Sequence, residues 1–329
     1  MSGPAVPARE RGAALLAVLL LVAVVGAIAA ATLEKLTLSR TATANATALD
    51  RARAFADGVE RLGLLTIDDL IVRDTRKTTL EGGWNGRARD IPMPGGGLAR
   101  VQVRDGGNCF NINSVVSGDP RTRLSRRESG VAEFIALMMA LDVPQGDARR
   151  IAEATADWAD SDTIPGPGGA EDEAYMASPT PYRTGNTLFA DVGELALVSG
   201  MTHPIMARLR PWLCALPTSD LAPINVNTLL PDQAPLVAML APGQIDLGRA
   251  RAAIAARPAG GWDSQVDFWQ AGPLRGLAVP LDLQLQPQLR TTWFALDVRV
   301  EVGDAEFHET ALVDARRRPS RLAARRWEE

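Results

Sequence analysis

The sequence predicts an α+β fold in which a long N-terminal helix packs on a small antiparallel sheet interrupted by a large all-α insertion. Three observations support this prediction. An uncharged apolar run near the N-terminus continues into a segment with helical periodicity. Strand-like alternation occurs early in the chain and again near its end, and the segment between these two regions carries repeated helix signals.

Composition and charge narrow the possible functions. The 329 residues include 35 Lys and Arg against 39 Asp and Glu, a net charge of −4, so no overall positive field would gather nucleic acid. Two cysteines and two histidines are too few for a disulfide-rich scaffold or for most histidine-based metal sites. The fraction of hydrophobic residues, 46%, is sufficient for a large buried core.

The first element is a helix long enough to cross a membrane. Residues 13–33 carry no charged side chain, and as a helix they would span roughly 30 Å, the thickness of a bilayer hydrocarbon core. Arg9 and Arg11 precede the run with only Glu10 opposing them, so the positive-inside rule places the short leader in the cytoplasm. Because the run ends in small residues at 29–31, an ordinary cleaved signal peptide is the alternative.

Helical spacing of apolar residues continues over 34–65, and strands follow it. Residues 81–97 are rich in glycine and are predicted to be a loop, whereas 98–104 alternate between apolar and polar side chains and are predicted to be a half-buried strand. A hairpin is predicted near the C-terminus, with strands at 296–302 and 305–313 joined by a turn at Gly303 and Asp304. The last arginines, within 316–326, are predicted to form a solvated terminal segment.

Four helices are predicted between these strand regions, from capping signals and apolar spacing. They form a block of roughly 100 residues inserted into the sheet-bearing part. The predicted helices are 125–141, opened by a Ser125 and Glu128 capping box; 147–160, capped by Asp147; 191–201, opened by Asp191 and Glu194; and 204–213.

The N-terminal segment resembles a known processing signal. Residues 9–12 (RERG) followed by 13–16 (AALL) are similar to the class III prepilin leader of type IV pilins and type II secretion pseudopilins. This resemblance implies a pilin-like fold, cleavage by a prepilin peptidase between Gly12 and Ala13, and methylation of the new N-terminus. The fifth mature residue is usually Glu in that family but is Ala17 here, which is typical of the minor pseudopilin K family of type II secretion.

Two further motifs resemble the same family. Residues 108–113 (NCFNIN) are similar to its NCFNLN-type segment, and 224–228 (INVNT) resemble the start of a helix-hairpin-helix (SAM-like) unit of the INVNTA type. The implied division of the chain has six segments. They are a prepilin leader, 1–12; a transmembrane helix, 13–33; a periplasmic helix, 34–65; the first part of a pilin-like α/β core, 66–115; an inserted α-helical domain, 116–222; and a helix-hairpin-helix-like segment with the C-terminal strands, 223–329.

An acidic stretch is the candidate metal site. Residues 151–182 contain seven acidic side chains and no Lys or Arg, and Asp160 and Asp162 are spaced like the opening of a calcium loop. An EF-hand is excluded because Pro165 stands where its glycine would be, and a solvated acidic loop is the alternative. Resemblance to the family's acidic segment implies calcium as the ligand. The candidate calcium ligands are Asp160, Asp162, Glu171 and Asp172.

The two cysteines bracket the helical block, since Cys109 lies just before it and Cys214 just after it. A disulfide between them is expected if this part of the protein is periplasmic, and two buried thiols are the alternative. The bridge would close a loop of roughly 100 residues and contribute on the order of 4 kcal/mol.

The function implied by these resemblances is that of a non-enzymatic minor pseudopilin that caps the pseudopilus tip. The resemblance further implies a single-pass inner-membrane protein with a periplasmic domain, a tip complex with minor pseudopilins I and J, and the major pseudopilin below. One alternative is a membrane-anchored, competence-type helix-hairpin-helix protein that binds DNA. The other is an enzyme that uses acidic-loop carboxylates as in glycoside hydrolysis, but the sequence carries no HExxH, GxSxG or phosphate-binding loop.

Overall fold

A computed structural model describes residues 8–328 of the protein, so residues 1–7 of the predicted leader lie outside the described residues. The helices are α1 (Ala8–Arg73), α2 (Glu128–Ala140), α3 (Gln145–Ala159), α4 (Asp172–Met176), α5 (His203–Leu209), α6 (Ala234–Met239), α7 (Leu247–Ala255), α8 (Gln265–Trp269) and α9 (Leu281–Gln284). The strands are β1 (Ala88–Pro92), β2 (Leu98–Asp105), β3 (Phe110–Asn111), β4 (Val116–Asp119), β5 (Arg123–Arg126), β6 (Leu213–Cys214), β7 (Trp293–Val302), β8 (Ala305–Asp314) and β9 (Arg321–Glu328).

Helix α1 is a continuous helix of 66 residues. Its N-terminal part is exposed, and by length and composition it is the one described helix that could cross a membrane. The helix ends at Arg73 and not near residue 65 as predicted, because Ile67 and Ile71 extend the apolar stripe and are buried against the sheet. The exposed apolar segment and the segment packed on the sheet thus belong to one continuous helix.

The sheet has five antiparallel strands in the order β1-β2-β7-β8-β9. Every second residue of β7, including Val298 and Val300, is buried towards α1, as the alternation predicts. The helix lies close to this face at Gly63, where an added Cβ would be 2.9 Å from a methyl carbon of Leu296. The predicted hairpin is confirmed, with a positive φ of 59° at Gly303 in its turn.

Both edge strands were missed by the sequence analysis. Residues of β1 lie in the segment predicted to be a loop, and they pair with β2, where Arg100 also forms an ion pair of 2.8 Å with Asp90. The arginine-rich terminus is not a solvated tail, because Arg321–Glu328 pair with β8 as strand β9. Leu322 packs on the apolar core there, and Arg325 pairs with buried carboxylates.

Two of the predicted helix starts were wrong. Ser125 does not cap α2, since it lies in β5 opposite Ser117, and α2 begins three residues later at Glu128. Asp147 lies inside the first turn of α3, which has Pro144 at its N-cap. The capping box of Asp191 and Glu194 is confirmed, although it opens a 3₁₀ turn that ends at Leu197.

The buried apolar residues form two clusters. One joins α1 to the inner face of the sheet, and the other fills the helical part from Phe110 to Leu283. The helical core therefore continues past residue 222, the predicted end of the inserted domain, and includes α6 to α9. Helices α6 and α7 contact each other, but the helix-hairpin-helix geometry predicted for this segment stays a prediction.

Glu133, an ionisable residue of α2, is fully buried in the middle of the helical core. Gln286 Nε2 donates a hydrogen bond of 3.3 Å to its carboxyl, while Glu133 Oε1 and Gln286 Oε1 have no partner within residues 8–328. Burial raises the pKa of Glu133 well above its usual value, since the charged form loses its hydration.

The substitution Glu133→Gln is expected to stabilise the protein by about 1–3 kcal/mol at pH 8, because the new amide can donate to Gln286 without a buried charge. A carboxyl with a raised folded pKa stabilises most below its unfolded pKa and loses that contribution as the pH rises through the folded value. The gain should therefore disappear near pH 4. Denaturation midpoints across this pH range test it, with Glu128→Gln on the exposed side of the same helix as the control.

Candidate metal centre

The acidic stretch brings three of the four predicted ligands together. Carboxylate oxygens of Asp160, Asp162 and Glu171 all lie within 4.8 Å of one another. Asp160 and Glu171 are buried, and Asp162 is partly exposed. Asp160 follows the last turn of α3 and donates its backbone N–H to Ala156, whereas Glu171 precedes α4, so two helix ends position the cluster.

Asp160 and Glu171 are destabilised in their charged form. Burial, with the charges of Asp157 and Asp160 adding to it, raises the pKa of Glu171 to about 7. Burial and the neighbouring Asp162 likewise raise the pKa of Asp160 to about 6. Neither oxygen of Glu171 has a hydrogen-bond partner in the described part of the chain.

The arrangement fits a hard cation. One carboxylate oxygen from each of three residues lies in a common cluster, and both oxygens of Glu171 are buried without a partner among the described residues. A divalent ion would satisfy Glu171 and cancel the repulsion among the three carboxylates. The ion would supply charge neutralisation and would tie the end of α3 to the start of α4.

Asp172, the fourth predicted ligand, does not join the cluster. Its Oδ2 lies 2.7 Å from Nη1 of Arg183, and its Oδ1 accepts hydrogen bonds of 2.9 Å from both the backbone N–H and the hydroxyl of Thr184. These partners satisfy the carboxylate, so the cluster consists of Asp160, Asp162 and Glu171, and metal binding by the predicted ligands stays a prediction.

Asp157 is part of the site in a way the sequence analysis did not predict. The side chain is buried, and both of its oxygens lie 3.1 Å from the backbone N–H of Gly166, which donates to them. At Gly169 an added Cβ would lie 1.9 Å from Asp157 Oδ2, so only glycine fits there. Asp157 thereby holds the acidic loop against the end of α3. In the sequence, Gly166 and Gly169 were the only indication of this close approach.

Aromatic side chains lie beside the cluster. Trp158 stands between Asp157 and the ligands in sequence, packs edge-on against Tyr175 at 5.4 Å and stacks on Phe189 at 6.3 Å. The hydroxyl of Tyr175 accepts a hydrogen bond of 3.1 Å from the backbone of Ser199. Trp158 is therefore a fluorophore next to the candidate ion position.

The predicted disulfide is confirmed. Cys109 and Cys214 are bridged, with a Cα–Cα distance of 5.8 Å and a sequence separation of 105. The bridge lies beside the short parallel pair β3–β6. It connects the start of the helical part to the segment that follows α5.

The asparagine-rich motifs form a buried hydrogen-bond network, which sequence reasoning did not predict. The side chain of Asn111 donates to the backbone oxygens of Thr218 at 2.8 Å and Asp220 at 3.0 Å. The two motifs also contact each other, because Asn225 donates its backbone N–H to Asn108 Oδ1 at 2.8 Å. The motifs thus hold the helical part to the base of the sheet.

The predicted processing positions, Gly12 and Ala13, lie in the first turns of α1, and cleavage between them stays a prediction.

The DNA-binding alternative can be examined at the turn before α7. This turn carries Asp246, whose carboxylate accepts a hydrogen bond of 2.8 Å from the backbone N–H of Arg249. A carboxylate therefore occupies the helix start where a phosphate would bind.

Comparison with known proteins agrees with these features. Two sequence models of type II secretion system (T2SS), protein K, match residues 108–218 and 224–290. The chain is 32% identical over 314 residues to type II secretion system protein K of Pectobacterium carotovorum subsp. carotovorum, covering 93% of this chain and 92% of that protein. The protein of the same name from Klebsiella pneumoniae is 32% identical over 329 residues, covering 97% of each.

A solved structure is also similar. One chain of the crystal structure of the GspK-GspI-GspJ complex from the enterotoxigenic Escherichia coli Type 2 Secretion System matches with a TM-score of 0.72 and 27% identity. The match covers 85% of this chain and 96% of that chain.

A long apolar helix packed on an antiparallel sheet, with a helical part inserted between β2 and β7, defines a pilin-like subunit. The similar proteins show which kind of pilin-like subunit this chain is, and they do not favour the DNA-binding alternative. The chain belongs to the type II secretion system protein K family and is a minor pseudopilin of type II secretion. Members of this family are structural components of the secretion system.

Proposed function

We propose that this minor pseudopilin caps the tip of the periplasmic pseudopilus and so takes part in the export of folded proteins across the outer membrane. The observation that carries the proposal is the position of the helical part at the membrane-distal end of α1. Just after α1 ends, Thr78 donates its backbone N–H to Leu289 at 2.8 Å and accepts a hydrogen bond of 3.0 Å from Asn225. A further subunit stacked along α1 would have to occupy the volume of the helical part.

The proposal includes the route to the membrane. Cleavage by a prepilin peptidase after Gly12 and methylation of Ala13 would leave residues 13–33 as a single-pass inner-membrane anchor, with the remaining domain in the periplasm. The length and exposure of the apolar part of α1 support this anchor, and an oxidising periplasm suits the disulfide. Ala17, in place of a buried acid, would leave no carboxylate to neutralise a neighbouring subunit's terminal amine.

The proposed partners are minor pseudopilins I and J in a tip complex, with the major pseudopilin below. The similar chain in the GspK-GspI-GspJ structure supports the first two. We expect the major pseudopilin to contact the lower, exposed part of α1, since that surface has no partner within the described residues.

Gold labelling of a C-terminal tag on pseudopili sheared from cells tests the cap. Label confined to one end of each fibre is expected, and label along the shaft would contradict the proposal.

Mass spectrometry of the membrane-extracted chain separately tests the proposed cleavage and membrane anchoring. A methylated N-terminus at Ala13 supports it, whereas a chain that begins after residue 31 indicates an ordinary exported protein.

We also propose that Asp160, Asp162 and Glu171 bind calcium in this protein, with Asp157 holding the loop around them. The clustering of these three carboxylates, with both oxygens of Glu171 lacking a partner among the described residues, supports this ligand set. Oxygen ligands from carboxylates are those that calcium prefers, and partial exposure of Asp162 leaves a route to solvent.

Calcium is expected to raise the thermal midpoint of the protein, because binding to the folded state alone adds about 2.7 kcal/mol at a concentration 100 times the dissociation constant. Asp160→Asn and Glu171→Gln should abolish the rise, whereas Asp172→Asn should keep it because Asp172 bonds to Arg183 and Thr184 instead. Terbium luminescence excited through Trp158 provides a direct readout of occupancy. An equal loss in all three variants would contradict the assignment of ligands.

A further inference from the structure

A cleft of about 620 Å³ lies between the outer face of the sheet and the helical part. Its floor crosses three strands, where Leu312 of β8 is opposite Ala295 of β7 and Ala324 of β9. Leu213 and Leu216 line the opposite wall. The methyl side chains of Ala295 and Ala324 leave open space on either side of Leu312.

The two walls are held in place. Cys214 belongs to the helical wall and is fixed by its disulfide to Cys109, at the other end of a 105-residue span. Across the opening, Arg326 of β9 forms an ion pair with Asp191, the N-cap of the 3₁₀ turn Val192–Leu197. The cleft is therefore formed before any ligand arrives, which lowers the free energy lost on binding.

The rim of the cleft is positive, although the whole chain has a net charge of −4. Arg104 and Arg210 are exposed on it, and no carboxylate of the described residues pairs with either. Arg326 is offset by Asp191, and the guanidinium of Arg325 points to the other face of the sheet, where it binds Glu60. Two arginines with unused hydrogen-bond donors thus stand over an apolar floor.

We propose that this cleft binds an extended acidic segment of a partner polypeptide. Two carboxylates of the segment pair with Arg104 and Arg210, and small apolar side chains between them rest on Leu312 and the neighbouring alanines. Guanidinium groups form paired, charge-assisted hydrogen bonds with carboxylates, and the apolar floor favours a peptide over a uniformly charged polyanion. The proposal goes beyond the tip assignment and does not depend on it.

The test uses the full chain in detergent and a fluorescein-labelled peptide that alternates glutamate with leucine and alanine. Fluorescence anisotropy should show saturable binding that weakens with salt, and Arg104→Glu with Arg210→Glu should weaken it about tenfold or more. The matched control is Arg149→Glu with Arg251→Glu, two exposed arginines of the helical part outside the cleft, which should leave the affinity unchanged.

A second variant separates this site from non-specific attraction of charge. Leu312→Trp fills the floor without changing any charge, so it should also weaken binding of the alternating peptide. Unlabelled polyglutamate should compete poorly. The proposal is overturned if the alternating peptide does not bind, if both pairs of charge reversals weaken it equally, if Leu312→Trp has no effect, or if polyglutamate competes as well as the alternating peptide.

Discussion

Replacing Arg325 with methionine is expected to destabilise the protein by about 3–5 kcal/mol, the range seen when one partner of a buried ion pair is removed. Arg325 reaches from β9 across the inner face of the sheet to α1, where its Nη2 lies 2.5 Å from Glu60. Its Nε lies 3.6 Å from Glu309. Both carboxylates are buried, 4% and 1% exposed, so the variant leaves two acids under the helix without a cation.

The effect of this substitution should depend on pH. Burial and the neighbouring Glu60, opposed in part by Arg325, raise the pKa of Glu309 to about 7. A carboxyl with a raised folded pKa contributes stability below its unfolded pKa, near 4.5, and loses that contribution as the pH rises through about 7. Loss of Arg325 should therefore be severe at pH 8 and smaller at pH 5, where Glu309 can hold a proton.

Guanidinium chloride denaturation of Arg325→Met at both pH values measures this difference. Arg326→Met is the matched control, because its ion pair with Asp191 is more exposed, 54% and 33%, and should contribute about 1 kcal/mol or less. Adding Glu60→Gln and Glu309→Gln to Arg325→Met should restore part of the stability. Equal effects of the two arginine substitutions at pH 8 would show that the buried pair does not need its cation.

The same arginine explains why the sequence analysis missed β9. An arginine-rich terminus is typical of a solvated segment, and the acids that compensate it are distant in sequence, with Glu60 separated from Arg325 by 265 positions. Local alternation was enough to predict β2, β7 and β8, because each alternates between the apolar core and solvent. Where charged residues such as Arg325 face the interior, the alternation of apolar and charged residues wrongly indicates that they are exposed to solvent.

The candidate metal centre shows a similar limit. The spacing of Asp160 and Asp162 was sufficient to predict the carboxylate cluster, and Glu171 lies with them in it, while metal binding there stays a prediction. Asp172 follows Glu171 directly, so the sequence alone could not show that its carboxylate is held by Thr184 and Arg183. Nor could it show that the carboxylate of Asp157, one helical turn before Asp160, accepts the backbone N–H of Gly166 in the loop.

Removing the disulfide by Cys109→Ser with Cys214→Ser is expected to lower the free energy of unfolding by about 4 kcal/mol. The bridge joins residues 105 positions apart, so most of its contribution arises from restricting the unfolded chain. The folded state should persist without it, because Asn111 and Asn113 still hold the segment after Cys214 through hydrogen bonds to Thr218 and Leu216.

Two measurements distinguish this effect from damage to the folded structure. The variant should have a lower denaturation midpoint and a steeper dependence on denaturant, since its unfolded state exposes more surface than a cross-linked one. A reducing agent should shift the native protein to the midpoint of the variant and leave the variant unchanged. If the midpoints with and without the bridge coincide, the hydrogen bonds of the asparagine motifs already provide the constraint, and the cysteines contribute little to stability.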